Sequence, residues 1–251
     1  MQSSRFASWK IMAASTLLAA MACIVGTAGA AGVKNVTAQA AQSAGPAPVE
    51  GTDYFLIDSP DSVKQGPIKG AKIEVVEVFG YGCPICSAFQ PHLADWEKTL
   101  PADVHFSYLP AAFGQDPEHC WDDFARAYYA AQSMGVQTKS HDGIYKEVFD
   151  QNRLAGGCAS IPSLYTDYGV DEKLFASTMQ SFVVTGQIGN AHEQVMRWGV
   201  DGTPTMIVDG KYRAPMTRAG GASGLLHTVD WLIAKQRPLH AKQPMQPTKK
   251  H

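Results

Sequence analysis

Beyond one Cys-x-x-Cys pair the chain is short of metal-binding and nucleic-acid-binding features, and each shortage removes a class of function. There is no second Cys-x-x-Cys and no histidine pair at ligand spacing, so a zinc site would hold half its ligands at most. The eight histidines do not cluster, and His92 reads as a surface residue, so no metal and no cofactor is expected. Excess charge of either sign is also missing. Lys+Arg number 21 against 23 Asp+Glu, and without a basic stripe nothing favours nucleic-acid binding. No apolar run makes a comfortable membrane span of about 20 residues, and there is no internal repeat. Cysteine is scarce, at 5 residues in 251.

What is present begins at the N-terminus. Arg5 and Lys10 precede an apolar run, Ile11 to Val25, that ends in Thr27-Ala28-Gly29-Ala30, the grammar of a cleaved signal peptide over residues 1–30. Cys23 offers a rival, a lipid-modified cysteine, which Ala20-Met21-Ala22 fits poorly. Export to an oxidising compartment lets cysteine pairs persist as disulfides, and cleavage leaves an even set: Cys83, Cys86, Cys120 and Cys158. Residues 31–51, rich in Ala, Gln, Gly and Pro, read as a flexible linker, and residues 239–251 as a disordered tail.

Between them the pattern is α/β. Ile73 to Phe79 is a strand, Pro84 to about Leu100 a helix kinked at Pro91, and Val104 to Leu109 a second strand parallel to the first. Residues 113–189 are helical and look inserted, with apolar stripes Trp121/Phe124/Tyr128/Ala131, Ile144/Val148 and Leu174/Phe175/Met179/Phe182. A short helix Ala191 to Trp198, a hairpin turning at Asp209-Gly210 and a closing helix complete residues 190–238, which join 52–112 in one domain.

Cys83-Pro84-Ile85-Cys86 stands where the first strand meets the first helix. A thiolate is the reactive form of cysteine, and a helix start favours an anion through free N–H groups and its dipole, so Cys83 is expected to be acidic. The competing readings are two core cysteines or half a metal site. Glu74 and Glu77 lie three apart on a strand and must face opposite sides of the sheet, leaving at least one poorly solvated. Cys120 and Cys158 are expected to form a structural disulfide, with free thiols or an accessory redox role as alternatives.

The strand, Cys-Pro-x-Cys, helical block and Gly202-Thr203-Pro204 ahead of a hairpin, with Leu100 to Phe106 and Ser181-Phe182, resemble the DsbA family of periplasmic disulfide oxidoreductases. The resemblance spans about Asp53 to Arg237 and implies a thioredoxin fold with an inserted helical domain. It implies a monomeric enzyme that passes the Cys83–Cys86 disulfide to reduced, unfolded secreted proteins and is reoxidised by a DsbB-like, quinone-linked membrane oxidase. Cys83 would be the attacked sulfur, Cys86 the resolving thiol, and Glu77 the buried acid serving it. Thr203 and Pro204 would form a cis-proline loop that holds substrate, whereas the proline alone would read as an ordinary trans turn. Pro84 and Ile85 would tune the couple; Ile85 departs from the family's usual histidine, and Tyr108 stands where a lysine often pairs with the acid. Thr203 also occurs in related isomerases, so an isomerase or reductase of this fold remains an alternative. A non-enzymatic secreted binding module, its cysteine pair structural or holding a soft metal, is another.

Overall fold

The computed structural model describes residues 45–58 and 72–241. The expected signal peptide with Cys23, residues 31–44 of the linker and residues 242–251 of the tail lie outside the described residues. Among the described residues five strands form one mixed sheet in the order β1-β5-β4-β2-β3: β1 Phe55–Leu56, β2 Ile73–Phe79, β3 Val104–Pro110, β4 Thr205–Val208 and β5 Tyr212–Pro215. The helices are α1 Pro84–Glu97, α2 Trp121–Ser133, α3 Gln137–Tyr145, α4 Ile161–Leu164, α5 Glu172–Met179, α6 Phe182–Arg197 and α7 Gly221–Ala241. A π-helical turn, Lys146–Asp150, continues α3 directly.

β2 is parallel to β3, with Ile73 opposite Val104 and Phe79 opposite Pro110, and antiparallel to β4 on its other side. Apart from Glu74 and Glu77, this inner strand is apolar on both faces because both are covered. Val75, Met206 and Val208 pack with Phe89 and Leu93 of α1 and Val229 and Leu232 of α7. Val76, Val78 and Ile207 pack with Val195 of α6 and Trp198 just after it. This is the thioredoxin arrangement, and the chain between β3 and β4 supplies the helical insertion. The insertion's core of Phe124, Tyr128, Ile144, Leu164, Tyr165 and Phe175 is continuous with Phe79, Tyr81, Cys83 and Cys86, so the cysteine pair sits where the two packing regions meet.

Four expectations change. The helix expected from Ala191 to Trp198 is the second half of α6, which crosses the expected 189/190 boundary unbroken. Val184, Ile188, Ala191 and Val195 carry one buried stripe past Gly186 and Gly189, and that burial outweighs the low helix propensity of glycine. Phe182 leaves the third stripe: α5 ends at Met179, Ser181 caps the next helix by accepting from the Val184 N–H, and Phe182 follows that cap 92% exposed. Leu174 is exposed as well. The expected tail starts inside α7, where His240 Nε2 meets Asp209 Oδ2 at 2.7 Å and ties the last turn to the β4–β5 hairpin. The end of the expected linker is docked too, because the Pro46 carbonyl pairs with His227 Nε2 at 3.0 Å and Pro48 is buried.

Cys120 and Cys158 are bonded, their Cα atoms 5.5 Å apart across a sequence separation of 38. The bond ties the residue that starts α2 to the turn before α4. Replacing both with alanine is expected to lower the unfolding free energy by about 3 to 4 kcal/mol in urea melts, the loop-closure entropy of a ring this size.

Candidate active site

Two glycines shape the approach to the cysteine pair. A Cβ on Gly80 would run into the Trp121 ring and one on Gly82 into the His119 carbonyl, so the loop after β2 lies directly against the start of the insertion. The Cys83 N–H bonds the Gly80 carbonyl at 3.1 Å, closing the turn that delivers Cys83 to the first position before α1. There it is extended, with φ −92° and ψ 113°, and acts as the helix cap: its sulfur accepts the Cys86 N–H at 3.3 Å. Pro84 follows at the first helical position, where no N–H is missed.

The Cys83 thiol is pushed down to about 6. The largest cause is a hydrogen bond from the Cys86 thiol, and burial opposes it. Thr203 and the backbone N–H groups of Cys86 and Ile85 add to the lowering. Helix-start amides therefore contribute as expected, but the neighbouring thiol leads. Cys83 is nearly as buried as Cys86, at 6% against 0%, while Pro84 and Ile85 face solvent. Cys86 is raised well above the usual thiol range, first by burial, then by its bond to Cys83 and the charge of Glu77.

Thr203-Pro204 is a cis peptide, and its loop borders the sulfurs: the Thr203 carbonyl takes the Cys83 thiol at 3.5 Å. The Thr203 hydroxyl is buried without a conventional partner, and it favours the anion of either cysteine. Thr205 Oγ1 bonds the Gly202 carbonyl at 2.8 Å and braces the loop.

Glu77 is fully buried, with neither carboxyl oxygen hydrogen-bonded to protein. Burial pushes it up to about 8, and the Cys83 charge pushes the same way. Across the parallel pairing its neighbour is Tyr108, which supplies no cation. Glu74, on the opposite face, is half-buried and outside the site.

Gln90, His141 and Tyr145 went unnoticed in the sequence. Tyr81, two positions before Cys83, bonds His141 Nδ1 through its hydroxyl at 2.8 Å, and burial pushes His141 down to about 4. Gln90 of α1 is buried and donates through Nε2 to Asp142 Oδ1 at 2.9 Å. Tyr145, at the end of α3, is buried with an unpartnered hydroxyl. Only the apolar spacing of Ile144 and Val148 hinted that this helix turns inward. Among the described residues no His/Cys/Asp/Glu group could hold a metal ion.

Two outcomes follow from these ionisations. Alkylation of the reduced protein by iodoacetamide should consume one thiol with a midpoint near pH 6, Cys86 staying unreactive. For Glu77 the unfolded carboxyl ionises near 4.5 and the folded one near 8, so between those values the folded state binds more protons and stability falls as pH rises. Glu77→Gln should abolish that slope and raise stability at pH 7 by up to about 3 kcal/mol in denaturant melts.

Residues 74–225 match the DSBA-like thioredoxin domain family. The thiol:disulfide interchange protein DsbA of Pseudomonas aeruginosa is 38% identical over 187 residues, 74% of this chain and 85% of that one. DsbA of Pseudomonas syringae pv. tomato is 35% identical over 209 residues, 83% of this chain and 92% of its own. The crystal structure of Pseudomonas aeruginosa DsbA superposes with a TM-score of 0.67 at 36% identity, covering 78% of this chain and 97% of that one. The oxidoreductase DsbA of Xylella fastidiosa gives the same TM-score at 31% identity, over 77% and 100%. A family match over most of the described sheet and insertion, and a Cys-x-x-Cys sulfur capping α1 beside a cis-proline, place this chain in the DsbA family of thiol:disulfide interchange proteins.

Proposed function

We propose that the protein is a thiol:disulfide oxidoreductase that introduces disulfides into newly secreted proteins through Cys83 and Cys86. The observation that carries this reading is the Cys83 sulfur at the cap of α1, anionic near neutrality and held against a cis-proline loop. In the oxidised enzyme a client thiolate attacks Cys83 and forms a mixed disulfide while Cys86 leaves as thiolate. Cys86 takes a proton that Glu77, uncharged below about pH 8, is placed to give. A second client thiolate then attacks the client sulfur, the client disulfide closes, and Cys83 leaves as the favoured anion. Two client thiols are oxidised and the enzyme's disulfide is reduced to the dithiol, so no cofactor enters.

The same reading places the protein in the periplasm, exported by the signal peptide at residues 1–30, acting as a monomer. A DsbB-like, quinone-linked membrane oxidase restores its disulfide. Among the described residues no helix is long and apolar enough to cross a membrane. The Thr203 hydroxyl beside both sulfurs favours a second reading, an isomerase or reductase, because it stabilises the thiolates that reshuffling needs.

Catalysed oxidation of a reduced, unfolded substrate by the oxidised protein, lost in Cys83→Ser, is the expected result; faster rescue of a scrambled substrate than oxidation of a reduced one would favour the isomerase. Ile85 is 54% exposed at the first turn of α1, where its backbone N–H helps the Cys83 anion but its side chain adds neither charge nor donor. Ile85→His should therefore raise the reduction potential in glutathione titrations, each 30 mV corresponding to about 1.4 kcal/mol. An unchanged or lower potential would contradict this tuning role.

A further inference from the structure

Tyr81 is the only side chain between the end of β2 and Cys83, because Gly80 and Gly82 flank it. Glycine gives a backbone its widest choice of conformations, so this stretch has little reason of its own to hold one shape. Its shape nevertheless decides where the reactive sulfur goes. The Cys83 N–H closes a turn on the Gly80 carbonyl at 3.1 Å, with Tyr81 at the first of its two central positions. That turn sets the sulfur 3.3 Å from the Cys86 amide nitrogen and 3.5 Å from the Thr203 carbonyl oxygen, which belong to two different elements.

Tyr81 is anchored at its far end. Its ring meets Phe79 and Phe124 edge to face, with centroids 5.1 and 5.7 Å away, and its hydroxyl reaches Nδ1 of His141 in α3 at 2.8 Å. Ring packing is weakly directional, whereas the hydrogen bond fixes where the side chain ends. On the other side of that bond, His141 is buried and its Nε2 has no protein partner. An apolar side chain of similar size would leave no such group unpaired. A buried polar pair that joins the motif turn to the insertion across 60 residues specifies one geometry more than it adds stability.

Resting on the oxidoreductase reading above, we propose that Tyr81 and His141 are positioning residues for disulfide exchange: their hydrogen bond pins the turn before α1 to α3 and so holds the Cys83 sulfur on the helix cap and against the cis-proline loop. Through this bond the insertion acts on a sulfur carried by the β2–α1 connection. Neither residue is charged at neutral pH, because burial pushes His141 down to about 4 and Tyr81 well above the usual phenol range. The pair therefore acts by placing the sulfur among the groups that stabilise its anion, the Cys86 thiol, Thr203 and the helix-start amides.

The test measures the iodoacetamide midpoint of Cys83 in the reduced full-length protein and the rate at which the oxidised protein oxidises a reduced dithiol peptide. Tyr81→Phe keeps the ring and removes only the hydroxyl. It should raise the midpoint by about one pH unit, a tenfold loss of thiolate below the midpoint, and slow peptide oxidation about threefold because Cys83 leaves less readily. His141→Leu should do the same, and His141→Asn, whose amide stands where Nδ1 stood, should return both values most of the way. A midpoint that stays near 6 in Tyr81→Phe, with or without a lower melting temperature, overturns the proposal and leaves the oxidoreductase reading intact. Equal displacement in His141→Asn and His141→Leu also overturns it, since ring packing then carries the effect. If the His141 variants do not fold, Tyr81→Phe decides alone. Wild-type protein that oxidises no dithiol peptide removes the oxidoreductase reading, and the catalytic use of the pair with it.

Discussion

The Cys86 N–H reaches the Cys83 sulfur because α1 starts one residue later, at Pro84, and because two glycines let the preceding loop press against the insertion. That contact places the sulfur where the Cys86 thiol, Thr203 and the helix-start amides all favour its anion. A cap ordinarily presents an oxygen to a free amide; here a sulfur does so, and its anion inherits the stabilisation that a helix start gives to negative charge. The Cys86 thiol adds the larger share, so the other cysteine of the motif is the main stabiliser of the Cys83 anion.

Opposed environments keep the two sulfurs distinct. Cys83 collects donors, while Cys86 lies one turn deeper beside a carboxyl that is itself starved of partners. Buried with Tyr108 rather than a cation across the strand from it, Glu77 keeps its proton to about pH 8, and its ionisation costs the fold stability. A residue retained at such an expense marks the site more clearly than the cysteines' spacing does, since buried cysteine pairs also occur in ordinary cores.

Much of this was legible in the chain. The run Ile73 to Phe79, the motif after it and the Asp209-Gly210 turn announce their elements through local chemistry, and residues so close in sequence needed no tertiary knowledge to be placed. The cis peptide at Pro204 was another matter: proline permits it, but only the resemblance pointed to it. The Tyr81–His141 bond and the Gln90–Asp142 bond bridge 60 and 52 residues and join α3 to the motif loop and to α1, and no local pattern encodes such pairings. Phe182 shows the opposite failure, where a serine cap reset the helix phase and apolar spacing carried straight across it.

Helix α6 deepens the relation between insertion and sheet. Its first half packs Val184 and Ile188 with Ala125 of α2, and its second half lays Val195 on the sheet. A single rod thus belongs to both layers, and the inserted region is no cassette that could be lifted out at its sequence boundaries: cutting at residue 189 would snap the beam on which one face of the sheet rests. Remodelling of the inserted helices must therefore proceed around a fixed strut, by changing loops and surface side chains rather than by exchanging the whole block.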